Sequence, residues 1–456
     1  MKPPTLSRIS TPCVAVAFAT AALLTATVAL AQAGGDPREP VRSAVARELP
    51  DLEVLYRTLH AAPELSLHEE RTSARIATEL RKVGFEVTER VGGWGVVGIL
   101  RNGAGPTLLV RTDMDALPVT EATGLPYASA ARANDDEGRE VGVMHACGHD
   151  AHMSILVGTA RVLAGMRERW RGTLVMIGQP AEERGLGAEA LLRDGLFARF
   201  PRPAVCVALH VTPALPVGAV GVVEGYAFAN VDTVEVVMRG VGGHGARPHV
   251  TRDPIVMAAQ FVTAVQTIVS RRMDPVEPAV VTVGSIHGGT APNIIPDEVR
   301  LQLTVRSYAP EARKLILGEI ERIARGVAEA AQAPADRMPT VRVIEGFTPA
   351  LYNDPALAGR LSAAWRRWLG DGNVSSLKPE MIGEDFAEYG LAEPRIPICM
   401  FRVGTSSPES LAESRRTGVE LPTLHSSRYA PVFEGTIATG VTAMTAAVLE
   451  LLPAGR

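Results

Sequence analysis

The sequence predicts an α/β protein: a principal domain on a mostly parallel sheet, with a two-layer β-α-β-β-α-β unit inserted into it. Three observations carry this expectation. Apolar, strand-like runs alternate with helical patterns up to about residue 225, the rhythm of a parallel sheet covered by helices. From about Asn230 the order changes to strand, helix, strand, strand, helix, strand, a self-contained two-layer unit. From Asp354 patterns of the first kind resume, so the middle unit reads as an insertion. The expected divisions are residues 1–33, 34–225, 226–345 and 346–456, and a chain of 456 residues with 46% hydrophobic and 21% charged content has ample core for two domains.

The first division is a leader. Lys2 and Arg8 precede an apolar run from Val14 to Leu30, and Ala31-Gln32-Ala33 follows as a small-residue cleavage site. This predicts a signal peptide and export to the periplasm or the exterior, with no membrane span kept after cleavage. In the second division the expected strands are GWGVVGIL, TLLVRTDMDA, TLVMIGQPAEE and AVCVALH, with helices near Ser154 to Met166 and Ala188 to Phe200. The insertion supplies VDTVEVVMRG, the helix PIVMAAQFVTAVQTIVSRR, AVVTVGSIHGG, EVRLQLTVRSY, the helix PEARKLILGEIERIARGVAEAAQ and TVRVIEGF.

The net charge of −4, or −6 without residues 1–33, excludes a nucleic-acid role, which needs a basic face. Of the four cysteines Cys13 belongs to the leader, and an odd remainder argues against a disulfide framework. Cys206 and Cys399 lie in apolar runs and read as core residues. Cys147 lies instead in MHACGHDAHM, residues 144 to 153, among three of the chain's ten histidines.

That segment has partners. Asp113 and Asp115, Glu182 and Glu183, and His210 all follow expected strands, at the end of the sheet where ligands bind in open α/β folds. Cys147, His149, Glu182, Glu183, His210 and His425 of LHSSRYAPVFE offer more thiolate, imidazole and carboxylate donors than one tetrahedral ion uses, so a two-metal site fits. In an extended segment two adjacent glutamates cannot serve one ion by the same route. One can bind metal while its neighbour moves protons, and a water so acidified attacks a carbonyl once a base accepts its proton. The chemistry implied is hydrolysis.

RTDMDALPVTE, MHACGHDAHM, GQPAEE, ALHVTPALPVG, GVGGHGARPH, GGTAPNIIPDEV, GEDFAEYG and LHSS together resemble, in order and spacing, the dinuclear metallo-amidohydrolases. That family includes hippurate hydrolases, auxin-conjugate hydrolases and N-acetyldiaminopimelate deacetylases, relatives of aminoacylase and glutamate carboxypeptidase. The resemblance covers nearly everything after the leader. It implies two divalent transition-metal ions per subunit (Zn, Mn, Co or Ni), held by a bridging Cys147 with His149, Glu183, His210 and His425. It implies Glu182 as general base and Asp113 as the carboxylate that orients a ligating histidine. Asp150 and His152 are left structural, and His145 is unassigned. The insertion resembles the family's lid and dimerisation domain, implying a homodimer or homotetramer, with His244 steadying an oxyanion and Asn293 and Arg247 contacting substrate. The chain departs from the family's pattern in LHSSRYAPVFE, where a proline after the first serine and an acidic cluster near the end are usual, at VTP for VWP, and in GHGARPH, which has a glycine where an alanine is more common; none is an expected ligand. The implied activity is cleavage of the amide of a small N-acylated amino acid, with a carboxypeptidase or dipeptidase as the alternative and a non-catalytic binding protein of the same fold as a third reading.

Overall fold

A computed structural model of the chain describes Met1, Asp36, residues 38–344 and residues 346–454. Apart from Met1, the expected leader lies outside the described residues. Among the described residues no helix is long and apolar enough to cross a membrane.

Helix α1 (Glu39–Ala61) buries Val41, Val45, Leu52, Leu55 and Leu59 at helical spacing, and α2 (Glu70–Lys82) follows it. Strands β1 (Glu86–Val91), β2 (Gly95–Asn102) and β3 (Thr107–Asp113) lead to α3 (His149–Ala164), then to β4 (Gly172–Gln179), β5 (Val205–Pro216) and β6 (Val220–Val222). A second group comprises β7 (Asn230–Arg239), α4 (Pro254–Val265), β8 (Ala279–His287), β9 (Glu298–Ser307), α5 (Pro310–Ala330) and β10 (Thr340–Val343). The chain then returns through α6 (Pro355–Leu369), β11 (Val374–Ser376), β12 (Ile398–Ser406) and α7 (Phe433–Leu451).

The larger sheet has eight strands in the order β1-β2-β4-β3-β5-β12-β6-β11. Its centre, β4-β3-β5-β12, is parallel. β2 joins β4, and β6 joins β12, in antiparallel fashion. Leu108, Val110, Leu174, Met176, Val207, Leu209 and Phe401 face α1, α3, α6 and α7, whereas Leu109, Val175, Ile177, Cys206, Ala208, Ile398 and Met400 face the other way into a second core. Burial on both faces is why these strands are almost continuously apolar. Cys206 and Cys399 are buried and unbonded, as the sequence suggests.

The second sheet, in the order β8-β9-β7-β10, is antiparallel throughout. It has its own core, in which Val234, Val236, Leu301 and Leu303 meet Phe261 of α4 and Ile316 and Ile320 of α5.

Three elements differ from expectation. The helix over Ala188 to Phe200 is two pieces, Gly187–Arg193 and Leu196–Arg199, because Gly195 adopts a left-handed φ of 87° between them. The helix from Pro254 ends at Val265 and gives way to a wider turn over Ile268–Arg272. β5 continues to Pro216, so His210 lies within the strand and not after it.

One property of the larger sheet positions the site. On the face of the second core the alternation that places Ile177, Leu109, Ala208 and Met400 inside also turns Gln179, Arg111 with Asp113, His210 and Arg402 toward that side. The apolar layer therefore ends in a polar row at the carboxyl ends of the parallel strands, where open α/β sheets bind ligands.

Candidate metal centre

Cys147 and His149 approach this row from the loop that starts α3. Gly148 between them has φ 80°, and a Cβ added there would lie 2.6 Å from Val211 Cγ2, so only glycine lets the loop lie this close to β5. Cys147 Sγ is then 3.4 Å from His210 Nε2 and 3.3 Å from His425 Nε2. His425 arrives on a loop docked by its own N–H, which donates to Ala146 O at 2.9 Å, and it holds a left-handed φ of 67° that is costly for a residue with a Cβ. Glu182 and Glu183 occupy a single tight turn, Glu182–Arg184, after β4. Glu183 Oε2 lies 3.5 Å from His425 Nε2, and Oε1 lies 3.8 Å from His149 Nε2.

The five expected ligands thus form two overlapping groups, Cys147 with His149 and His210, and Cys147 with Glu183 and His425, each with its donor atoms within 4.8 Å of one another. Cys147 is common to both. Three features test whether metal fits. His149 Nδ1 donates to Asp115 O and His210 Nδ1 to Val211 O, both at 2.8 Å, so each ring presents the lone pair of Nε2. His149 Nε2 and Glu183 Oε1 are buried with no hydrogen-bond partner among the described residues. The site is also overloaded with potential anions. Burial and the neighbouring Glu183 and Glu182 push the Cys147 thiol up, and burial with Glu384 and Glu183 pushes Glu182 up. Burial raises Glu183 to about 7. Bound cations would remove that conflict and hold the sulfur as thiolate. The residues present fit two ions.

The turn carrying the glutamates is held from behind. Ala181, at φ 51°, donates its N–H to Glu69 Oε1 at 2.7 Å, and Glu183 N–H donates to Asp115 Oδ2 at 2.9 Å. Ser66 Oγ donates to the same Asp115 oxygen at 2.6 Å. The expectation for Asp113 needs correction here. The group at His149 Nδ1 is Asp115, through its carbonyl and with its carboxylate at 3.4 Å. Asp113 instead accepts from His152 Nδ1 at 2.6 Å and from Arg111 at 2.7 Å. His152 Nε2 in turn accepts the Val211 N–H at 2.9 Å, so both its nitrogens are used.

Arg111, buried with no exposed side chain, also donates to Gln179 at 3.0 Å, Glu384 at 2.9 Å and Asp385 at 3.1 Å. The GEDF motif therefore supplies counter-charges to this arginine, and Glu384 and Asp385 come within reach of Glu182. Asp150, in the first turn of α3, bonds the buried His60 at 2.6 Å, and His60 reaches Glu121 at 3.1 Å. His145 is buried, and burial lowers it to about 4, leaving a neutral ring.

His244, Arg247 and Asn293 are exposed, on a small ribbon formed by Gly243–His244 and Ile294–Ile295 beyond the second sheet. They are brought together with one another: Asn293 O accepts from Gly245 N–H and His244 O from Arg247 N–H, both at 2.8 Å. His244 Nδ1 accepts the Ala246 N–H at 3.0 Å, which leaves Nε2 as the protonated donor. Within one chain no hydrogen bond or ion pair described joins this ribbon to the metal-ligand candidates.

Of the residues that build the site, sequence reasoning passed over Ser66, Glu69, Arg111, Gln179, Glu384 and Asp385, and gave Asp115 no role. The available signal was polar crowding in PELSLHEERTS and a charged residue inside the apolar TLLVR strand.

Residues 109–425 match the model of Peptidase family M20/M25/M40. The chain is 36% identical over 366 residues to an N-acetyldiaminopimelate deacetylase of Geobacillus thermodenitrificans, covering 79% of this chain and 91% of that protein. It is 38% identical over 337 residues to an N-acetyl-L-cysteine deacetylase of Bacillus subtilis, covering 74% and 76%. Among solved structures it resembles Bacillus subtilis YXEP, described as a dinuclear metal binding peptidase, with a TM-score of 0.71 and 30% identity over 90% of this chain and 99% of that one.

Proposed function

The chain belongs to peptidase family M20/M25/M40, and from that premise we propose that it is a metal-dependent amidohydrolase that cleaves the amide of an N-acyl amino acid or a similar small conjugate. The observation that carries the reading is the convergence of Cys147, His149, Glu183, His210 and His425, with the second glutamate Glu182 beside them. These five residues would hold Zn, Mn, Co or Ni ions, which when bound would supply an acidified water and polarise the amide carbonyl.

The chain's own groups do the rest. His149 and His210 are oriented by their Nδ1 hydrogen bonds, and Glu183 by the turn behind it. The Glu182 carboxylate takes the proton of the attacking water and hands it to the departing amine nitrogen. Buried among other carboxylates it has a raised proton affinity, which suits a base that must also act as an acid. His244, with Nε2 free to donate, supplies a hydrogen bond to the developing oxyanion, in this reading across a subunit interface.

The enzyme assembles as a homodimer or homotetramer through the inserted domain. Exposed Val250, Ile255, Val256, Ile286 and Ile294 on that domain support this. It works outside the cytoplasm after removal of residues 1–33. The deciding experiment takes chelated protein, restores Mn, Zn, Co or Ni singly, and assays a panel of N-acyl amino acids and dipeptides. Metal-restored hydrolysis of N-acyl amino acids is expected. Preference for dipeptides transfers the reading to a peptidase, and full activity without metal overturns it.

A further inference from the structure

Two arginines are buried on the face of the larger sheet that carries the ligand candidates, and their surroundings differ. Arg111 is saturated by Asp113, Glu384 and Asp385, all buried with it. Arg402, on β12, pairs in register with His210 on β5, so the two side chains leave the sheet side by side. Its side chain is 5% exposed and stacks 4.5 Å over the ring of the buried Phe228. Its polar contacts are Val211 O at 3.4 Å and Glu380 Oε1 at 3.1 Å. Val211 O is the atom that also receives the His210 Nδ1 hydrogen. Glu380 is 49% exposed, on the segment that follows β11.

A buried guanidinium beside a metal ligand is expensive unless its charge is met. Here the charge is met by a half-exposed carboxylate, which itself returns to water easily, so the exchange costs little when a second carboxylate takes its place on the guanidinium. The amidohydrolase reading brings a second carboxylate to this place. An N-acyl amino acid carries its own on the carbon next to the scissile nitrogen, and must bring it into a site already lined by Glu182, Glu183, Asp113 and Glu384. Arg402 is a fork-shaped cation adjoining His210, and such a fork binds carboxylates through two parallel hydrogen bonds.

We propose that Arg402 receives the substrate's carboxylate, and that Glu380 is the internal stand-in that occupies the guanidinium until a substrate displaces it. This rests on the amidohydrolase reading and adds to it a requirement for a free carboxylate in the substrate. It differs from the parts implied for Arg247 and Asn293, which lie on the exposed ribbon.

The test uses the metal-loaded enzyme, the N-acetyl amino acid it turns over fastest, and the carboxamide of that compound. Arg402→Gln should raise KM for the acid roughly ten- to a hundredfold, the worth of a hydrogen-bonded charge, and change KM for the carboxamide far less. Arg402→Lys, which keeps the charge and loses the fork, should fall between. Glu380→Gln should lower KM for the acid. Arg402→Gln and Glu380→Gln break the same ion pair, so if the pair only latches the chain together they shift kinetics in the same direction, for acid and carboxamide alike. That result overturns the proposal. An enzyme that hydrolyses no N-acyl amino acid removes the amidohydrolase reading instead, and calorimetric titration with N-acetylglycine then decides the subsite. Binding lost in Arg402→Gln and strengthened in Glu380→Gln supports it; equal binding by all three proteins overturns it.

Discussion

Glu69→Ala isolates the support beneath the glutamate turn. Glu69 is fully buried, and its Oε1 accepts two backbone hydrogens, from Leu67 at 3.0 Å and Ala181 at 2.7 Å. Both donors belong to residues with positive φ, 71° for Leu67 and 51° for Ala181, so one oxygen restrains two strained positions. The Ala181 N–H is buried, and leaving it without an acceptor costs about 1–3 kcal/mol. The Leu67 N–H is nearer solvent and adds less. A destabilisation of about 2–3 kcal/mol follows, with turnover falling more steeply because Ala181 immediately precedes Glu182. Glu69→Gln keeps an acceptor oxygen in place and should lie close to wild type in both respects. Adding Ala181→Gly to Glu69→Ala should recover part of the loss, since glycine removes the roughly 1 kcal/mol penalty of the left-handed conformation. Urea unfolding of the chelated proteins reads the stability, and turnover with metal content reads the site. The reasoning is refuted if Glu69→Gln is as damaging as Glu69→Ala, or if Glu69→Ala unfolds within 0.5 kcal/mol of wild type, about the spread of neutral surface changes.

Four further outcomes are expected. Glu182→Gln should lower turnover by roughly a hundredfold to ten-thousandfold with both metals retained, whereas Glu183→Gln should lose metal first; metal analysis beside kinetics separates them, and the reverse pattern exchanges their roles. Cys147→Ser should lower metal content together with activity, and a covalent acyl group found on Cys147 by mass spectrometry would contradict a thiolate that only holds metal. His60 is raised to about 9, burial being outweighed by Asp150 and Glu121, so its contribution is complete below about pH 6.5 and is lost as pH rises through 9. Thermal unfolding of the chelated protein should show about 3 kcal/mol of this dependence, at 1.36 kcal/mol per pKa unit, and His60→Gln should flatten it. His244→Ala should cut turnover roughly a hundredfold with metals still bound, and unchanged turnover would leave it a loop residue.

The mostly parallel sheet, the two-layer unit beside it and the donor-bearing motifs were legible because each rests on a local pattern. Strands buried on both faces are apolar throughout, and Cys147, His149, Glu183, His210 and His425 announce themselves by residue type. What escaped was pairing. Asp113 and Asp115 are indistinguishable in RTDMD, and only the geometry shows that the ring of His149 leans on the second and that of His152 on the first. Glu69 and Ser66 carry no local mark of a role, since nothing in the sequence says that their hydrogen-bond partners lie at residues 181 and 115. Gly195 was visible, but its left-handed conformation, which divides the expected helix, depends on how the chain turns back toward β5.

The position of β12 has a consequence for how the protein is made. β12 is the last strand of the larger sheet in chain order, yet it lies between β5 and β6. Until it emerges, β5 has a bare edge whose buried residues Cys206, Val207, Ala208 and Leu209 meet no neighbour on that side. His425 is made later still. A chain cut short before residue 398 thus has an open apolar edge and only part of its donor set, a state prone to sticking and to clearance by quality-control proteases. Synthesis past residue 425 is therefore the step that both seals the sheet and brings the last of the clustered donors to it, so products cut short before that point lack both.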